Sequence, residues 1–312
     1  MIKIGPNNLT MTIMTTIKPA LFFLSVSVIA LLSSCGGTGT KEDNQKASEQ
    51  EFDAAEKELK AQIEEVVYDI PSPSEVPGLL QATGAEFNAS LVNDLNKVDN
   101  YLSGNDKAAL NLGVYSTDVG YLISYDKVQD ALNYMSTSRK LAEELGLAGN
   151  FEQALVKRFE NNLSNQDSLT ILLDETINNS SDYLKQTSRD RLAALILTGS
   201  LVEGLYISCQ LITTYPKDIL PPEARNAVLL HLIRVILEQE KSVTEVLKML
   251  KTIEQSQPVE ALTNYFQKLE DSYKKLNIAD KIANNQGDLV INDETLTDIA
   301  NIAIELRKSI TD

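Results

Sequence analysis

The chain has 312 residues and is strongly acidic, with 28 Lys and Arg against 44 Asp and Glu and a formal net charge of −16. Such a field repels phosphate backbones and anionic headgroups, which argues against nucleic-acid binding and against membrane attachment through a basic patch. One His and two Cys also exclude zinc sites made of a His cluster or of Cys-x-x-Cys motifs, so we expect no metal and no cofactor.

Residues 1–34 are predicted to be a signal peptide. Lys18 precedes an apolar run from Ala20 to Leu32, which is too short to span a bilayer comfortably and fits a signal-peptide core. The sequence Leu32-Ser33-Ser34-Cys35 that follows resembles the lipobox of bacterial lipoproteins. That resemblance implies a diacylglycerol on the Cys35 thiol and cleavage just before it by signal peptidase II. The alternative is a plain secretory signal in which Cys35 is incidental.

Residues 35–50 are predicted to be the lipidated Cys and a flexible tether, because Gly36 to Gln50 contains almost no apolar side chain. Gly36 is not the aspartate that retains lipoproteins at the inner membrane, which implies an outer-membrane lipoprotein facing the periplasm or the cell surface. Lys41-Glu42-Asp43 loosely resembles the acidic surface-export signal of Bacteroidota lipoproteins. With Cys35 lipidated, Cys209 is the one remaining thiol and no intrachain disulfide can form.

The rest of the chain is predicted to be helical almost throughout. An N-terminal helix at about Ser48 to Val67 precedes three prolines, so residues 51–77 form a helix and Pro-rich linker. Residues 78–312 form an all-helical domain, with Asp126, Asn150 and Pro221-Pro222-Glu223 marking helix starts. Helices are expected near 88–102, 105–123, 126–145, 151–163, 167–186, 189–213, 222–254, 258–275 and 293–310.

The predicted fold class is all-α, an irregular multi-helix bundle or short superhelix of antiparallel helical hairpins. Short turns between long helices favour hairpins. Helix lengths vary too much for a regular solenoid, and no spacing of about 34 residues recurs.

One candidate ligand surface lies on the helix that contains residues 192–212. This segment is nearly all apolar with a single charge, Glu203, and we expect a buried central helix rather than a membrane span. Ser200, Glu203, Tyr206 and Gln210 share one side of it. A carboxylate there must be paired, hydrogen-bonded or protonated, so Glu203 either lines a ligand pocket or is satisfied by a neighbouring helix.

A second candidate surface lies on the helix predicted at 105–123 and just after it. Asn111, Tyr115, Asp118, Leu122 and Tyr125 share its face. Tyrosines and a carboxylate suit both a small polar ligand and a joint between packed helices.

The remaining polar features have simpler interpretations. His231 shares a helix side with charged residues and is expected to face solvent, and no GxSxG sequence supplies a nucleophile for it. The oxygen-rich stretch from Asn284 to Asp288 lacks EF-hand spacing, and a turn before an N-capped helix explains it.

Three segments are similar to all-helical lipoproteins of Bacteroidota, a group with no established activity. They are residues 32–35, 115–147 and 197–211. The resemblance implies the envelope location and the helical fold, and it assigns no functional residue. The sequence therefore favours a lipid-anchored, non-catalytic scaffold or partner-binding module that contacts the membrane through Cys35 and possesses an envelope partner. The alternative is a lipoprotein that binds a small polar ligand between Glu203 and Asp118. An enzyme relying on carboxylates and tyrosines alone is a third hypothesis.

Overall fold

Apolar residues at spacings of three and four fold this chain into helices. A computed structural model describes residues 86–147, 153–215, 222–276 and 294–312. Within those ranges 85% of the chain is helical and no strand occurs, which confirms the all-α prediction. The signal peptide, Cys35, the tether, the N-terminal helix and its linker, Asn150 and the stretch from Asn284 to Asp288 lie outside the described residues.

The order of elements follows the predicted one with a few differences. Two 3₁₀ helices, Ala89–Leu91 and Leu95–Ser103, come first. The α-helices are α1 (Asn105–Ser124), α2 (Val128–Glu144), α3 (Gln153–Glu160), α4 (Gln166–Gln186), α5 (Asp190–Thr214), α6 (Pro222–Glu238), α7 (Glu240–Thr252), α8 (Gln257–Leu276) and α9 (Glu294–Thr311).

Helices α1 and α5 form the centre of the bundle, and glycines allow them to approach closely. A methyl group on Gly113 would collide with the main-chain carbonyl of Ile196, and one on Gly199 would collide with that of Leu110. Thr117 Oγ1 donates a hydrogen bond of 3.3 Å to the Ser200 carbonyl across the same crossing. The two backbones therefore pack against each other with no side chain between them.

The other helices surround this pair. Helix α2 packs on α1, and α9 packs on α5, α1 and α8, while α6 and α7 contact α5 from further along the chain. Helix α5 is long and apolar enough to cross a membrane, but 72% of its apolar window is buried inside the molecule. Its burial agrees with the predicted central helix.

The helix predicted over 88–102 is instead two 3₁₀ helices separated at Val92 to Asp94. The chain leaves helical geometry there because the Asn93 N–H donates to the Asp118 carboxylate at 3.0 Å, and Asp94 caps the next turn. The position of this break between the two 3₁₀ helices therefore depends on a hydrogen bond to a residue 25 positions further along the chain.

Two helix boundaries also differ from the predicted ones. Asp126, predicted to start a helix, has a φ of +55° and ends α1, with the Lys127 N–H bonded to the Leu122 carbonyl. The helix predicted over 222–254 is divided at Gln239 into α6 and α7. There the Ile236 carbonyl accepts both the Gln239 N–H at 3.1 Å, a 3₁₀-type hydrogen bond, and the Tyr273 hydroxyl at 2.8 Å.

Candidate functional site

The α1–α5 crossing brings the two predicted polar surfaces together. Asp118 lies five residues after Gly113 and Glu203 lies four residues after Gly199, so each carboxyl is just over one turn from the closest backbone approach. Both side chains are 0% exposed, and the two carboxyl groups are close enough for each to shift the pKa of the other. The two surfaces predicted on separate helices therefore form one buried cluster in the structure.

Glu203 is paired with Arg307 of α9. Arg307 Nε donates to Oε2 at 3.1 Å and Nη2 donates to Oε1 at 3.3 Å, so both carboxylate oxygens accept from one guanidinium. The guanidinium carbon lies 4.7 Å from the centre of the Tyr206 ring, which adds a cation–π contact. Burial raises the pKa of Glu203, and Arg307 opposes that shift.

Asp118 has less compensation than Glu203. Its Oδ2 accepts the Asn93 N–H at 3.0 Å, whereas Oδ1 is buried without a hydrogen-bond donor among the described residues. Burial raises the pKa of Asp118 well above its usual value, and the nearby Glu203 carboxylate raises it further. The amide of Asn93 and the charge of Arg307 act in the opposite direction but are weaker.

The tyrosines around the two carboxyls hydrogen-bond to main-chain carbonyls of other segments rather than line a pocket. The hydroxyl of Tyr115 donates to the Asp94 carbonyl at 2.9 Å, and that of Tyr134 donates to the Asn93 carbonyl at 2.7 Å. Tyr101 donates to the Thr311 carbonyl at 2.9 Å. Desolvation by burial raises the pKa of Tyr115, Tyr134 and Tyr101, so all three stay neutral and keep donating.

Asn111 makes a similar link to the C-terminal helix. Its Nδ2 donates to the Ile310 carbonyl and to the Lys107 carbonyl, both at 3.0 Å. Its Oδ1 is buried with no donor in the part of the chain that the structure describes. Together with Tyr101, Asn111 attaches the end of α9 to α1 and to the second 3₁₀ helix.

The remaining predicted residues lie at the margins of the cluster. Ser200 Oγ donates to the Gly113 carbonyl at 3.2 Å and so belongs to the helix crossing. The Gln210 side chain is half-buried, two turns of α5 beyond Glu203. The ring of Tyr125 packs against those of Phe87 and Tyr121, with ring centres 5.7 and 5.0 Å away. Tyr121, which precedes Leu122 in α1, belongs to a second apolar cluster, against which Tyr125 packs.

Sequence reasoning did not single out two members of the cluster, Arg307 and Asn93. The sequence does contain a sign of the role of Arg307, because this residue follows Ala303 by four positions on the apolar stripe of α9. A cation on such a stripe needs a buried anion. Asn93 carries no such sign, because its contact with Asp118 is made by its main-chain N–H.

The other candidate groups lie elsewhere. Cys209 is free and buried, and burial raises the pKa of its thiol to about 12. The backbone of His231 lies in α6, and its side chain is outside what the structure describes. Within the described ranges, no three His, Cys, Asp or Glu residues are grouped so as to hold a metal ion.

One open groove of about 270 Å³ lies between α8 and α9, apart from the buried cluster. Charged side chains of both signs line it, including Lys268, Asp271, Asp298 and Glu305. Neither Glu203 nor Asp118 contributes to its walls.

Comparison with known proteins does not place the chain in a family. It matches no protein-family model, no curated protein and no solved structure. What the molecule does therefore has to follow from its own contacts.

Proposed function

We propose that this protein is a lipid-anchored cell-envelope protein that acts as a non-catalytic scaffold or partner-binding module. The proposal rests on one observation: the polar residues best suited to chemistry are buried and make their contacts inside the molecule. Both oxygens of Glu203 are bonded to Arg307, and neither Glu203 nor Asp118 has any exposed surface.

Such a cluster favours a structural role over a catalytic one. A substrate reaching Glu203 would have to displace Arg307 and leave a buried charge without its partner, which costs about 3–5 kcal/mol. A catalytic acid or base must come within hydrogen-bonding reach of its substrate. The bundle instead offers its outer surface, and the net charge of −16 favours a partner of opposite charge there.

The envelope location in this proposal depends on the Leu32 to Cys35 sequence. Lipid on Cys35 attaches the chain to the membrane, and Gly36 favours the outer membrane, with the helical body in the periplasm or at the cell surface. One acyl chain binds membranes only marginally, and the two chains of a diacylglycerol on Cys35 make the attachment stable.

Labelling and fractionation in the native host test this anchoring. We expect the full-length chain to incorporate an alkyne analogue of palmitate and to sediment with the outer membrane. The Cys35→Ala variant should do neither. Equal labelling or equal membrane recovery of the two chains would contradict a lipid anchor.

A partner is tested by chemical crosslinking in intact cells, followed by purification of the tagged full-length chain. We expect a second protein at fixed stoichiometry, captured equally by the wild type and by Asp118→Asn, because Asp118 is internal. The competing hypothesis is a small polar ligand between Asp118 and Glu203. It gains support if native mass spectrometry of the purified protein shows a bound small molecule that Asp118→Asn loses. That result, without a crosslinked partner, would overturn the scaffold proposal.

A further inference from the structure

The buried cluster contains two carboxyl groups and one cation. Asp118 and Glu203 are both fully buried, and the charge of Glu203 raises the pKa of Asp118. Arg307 is hydrogen-bonded to Glu203, and its charge lowers the pKa of Asp118. If both carboxyls were ionised, one negative charge would remain uncompensated where water cannot screen it. Two carboxyls that share such a site hold a proton between them.

The hydrogen bonds indicate which carboxyl carries the proton. Glu203 accepts from Arg307 with both oxygens, so it is arranged as the carboxylate. Asp118 accepts one N–H on Oδ2 and has no donor on Oδ1 among the residues described around it. A proton on Asp118 turns this carboxyl into a donor toward Glu203 and leaves no buried charge unpaired.

We propose that Asp118 and Glu203 share one proton, carried by Asp118, and that this proton makes the joint between α9 and the α1–α5 pair sensitive to pH. The joint consists of Arg307 on α9, Glu203 on α5, Asp118 on α1 and the Asn93 amide. Ionisation of Asp118 places a second charge beside Glu203. Separation of α9 or of the Asn93 segment from the central pair, which admits water, relieves that repulsion.

The other titratable groups around Asp118 do not ionise in the same range. Tyr206 faces it from α5, Tyr134 from α2, and Tyr115 and Tyr121 from its own helix. Burial raises the pKa of each of these tyrosines, so they remain neutral at physiological pH. Tyr101 of the second 3₁₀ helix faces Arg307, and burial raises the pKa of its hydroxyl in the same way. Titration of this cluster between weakly acidic and weakly alkaline pH therefore belongs to the two carboxyls.

The direction of the pH effect follows from the raised pKa of Asp118. The unfolded chain releases this proton at an ordinary acidic pH, whereas the folded chain keeps it. The stabilisation is complete below the unfolded pKa and is lost as pH rises toward the folded pKa. Across that interval the folded state binds one more proton, so the unfolding equilibrium constant rises up to tenfold per pH unit from this group.

Asp118→Asn tests the proposal, because an asparagine can accept from Asn93 and donate to Glu203 without a titrating proton. Urea unfolding of the full chain gives the unfolding constants of both proteins at several pH values from 5 to 8. We expect the ratio of wild-type to variant constants to rise up to tenfold per pH unit. The control, Asp99→Asn, removes an exposed carboxylate from the second 3₁₀ helix and should give a constant ratio. A constant ratio for Asp118→Asn as well would overturn the proposal.

A measurement on the wild type alone keeps the test decisive if Asp118→Asn does not fold, and a second one applies if it does. In carboxyl ¹³C NMR spectra of the wild type, one Asp signal should keep its protonated position at neutral pH. Ordinary acidic midpoints for all Asp carboxyls would refute the shared proton. If the variant folds, amide exchange in α9 and around Asn93 should be faster in the wild type than in Asp118→Asn at pH 8. Equal protection would refute a pH-sensitive joint.

Discussion

Arg307 is the residue on which the buried cluster depends most. Its guanidinium donates a hydrogen bond to each carboxylate oxygen of Glu203, and its side chain is only 15% exposed. Sequence alone shows that a carboxylate on the apolar helix α5 needs compensation. It cannot identify a partner 104 residues away, because the choice depends on how α9 packs against α5.

Replacing the cation should therefore destabilise the protein strongly. We expect Arg307→Met to lower the free energy of unfolding by about 3–5 kcal/mol, since it leaves Glu203 buried without its partner. Urea denaturation at neutral pH measures the change. The matched control is Arg234→Met, which breaks an exposed pair with Glu238 and should change stability far less. Similar losses of unfolding free energy in the two variants would show that the buried pair stabilises the protein no more than the exposed pair does.

Helix identity and helix boundaries differ in how far the sequence determines them. The apolar periodicity of α2, α4, α8 and α9 is strong enough to predict each from its own residues. Helices α1 and α5 are predictable instead as long, largely apolar segments. The breaks at Asn93 and Gln239 were missed because distant groups, the Asp118 carboxylate and the Tyr273 hydroxyl, take up the local backbone groups. Boundaries that depend on tertiary hydrogen bonds leave no local pattern.

Helices α1 and α5 cross so closely that neither Gly113 nor Gly199 has room for a methyl group. Gly113→Ala should lower the free energy of unfolding by about 1–3 kcal/mol, because the added methyl group collides with backbone that cannot move aside cheaply. Circular dichroism during urea unfolding measures it. The control is Gly204→Ala on α5, where nothing lies within 4 Å of the added carbon. It should be neutral or stabilise by up to about 1 kcal/mol. Stabilisation by both substitutions would contradict the close approach.

At the scale of the molecule, polar contacts connect segments far apart in the chain. Lys97 pairs with Asp312 at 2.7 Å, Tyr101 donates to the Thr311 carbonyl, and Asn111 donates to the Ile310 carbonyl. The end of α9 is thereby attached to the first described elements. The fold class is readable from the sequence, but these attachments are not, since they join residues about 200 positions apart.

Removing one attachment should loosen α9 selectively. In Tyr101→Phe the Thr311 carbonyl loses one of its two donors and keeps Lys97 Nζ, and the side-chain amide of Asn93 loses an acceptor, which should cost about 1–3 kcal/mol. We expect faster amide hydrogen exchange in the last turns of α9 than in α5. Exchange that accelerates equally in both helices would mean that the attachment has no local effect.

We infer that the Glu203–Arg307 pair stabilises the fold and does not serve to bind a ligand. A double-mutant cycle with Glu203→Met, Arg307→Met and the double variant tests this, with unfolding free energy and crosslinked partner capture measured together. We predict that the double variant recovers at least about 2 kcal/mol relative to the sum of the single losses and captures the partner like the wild type. Additive losses, or a stable double variant that no longer captures the partner, would contradict the claim.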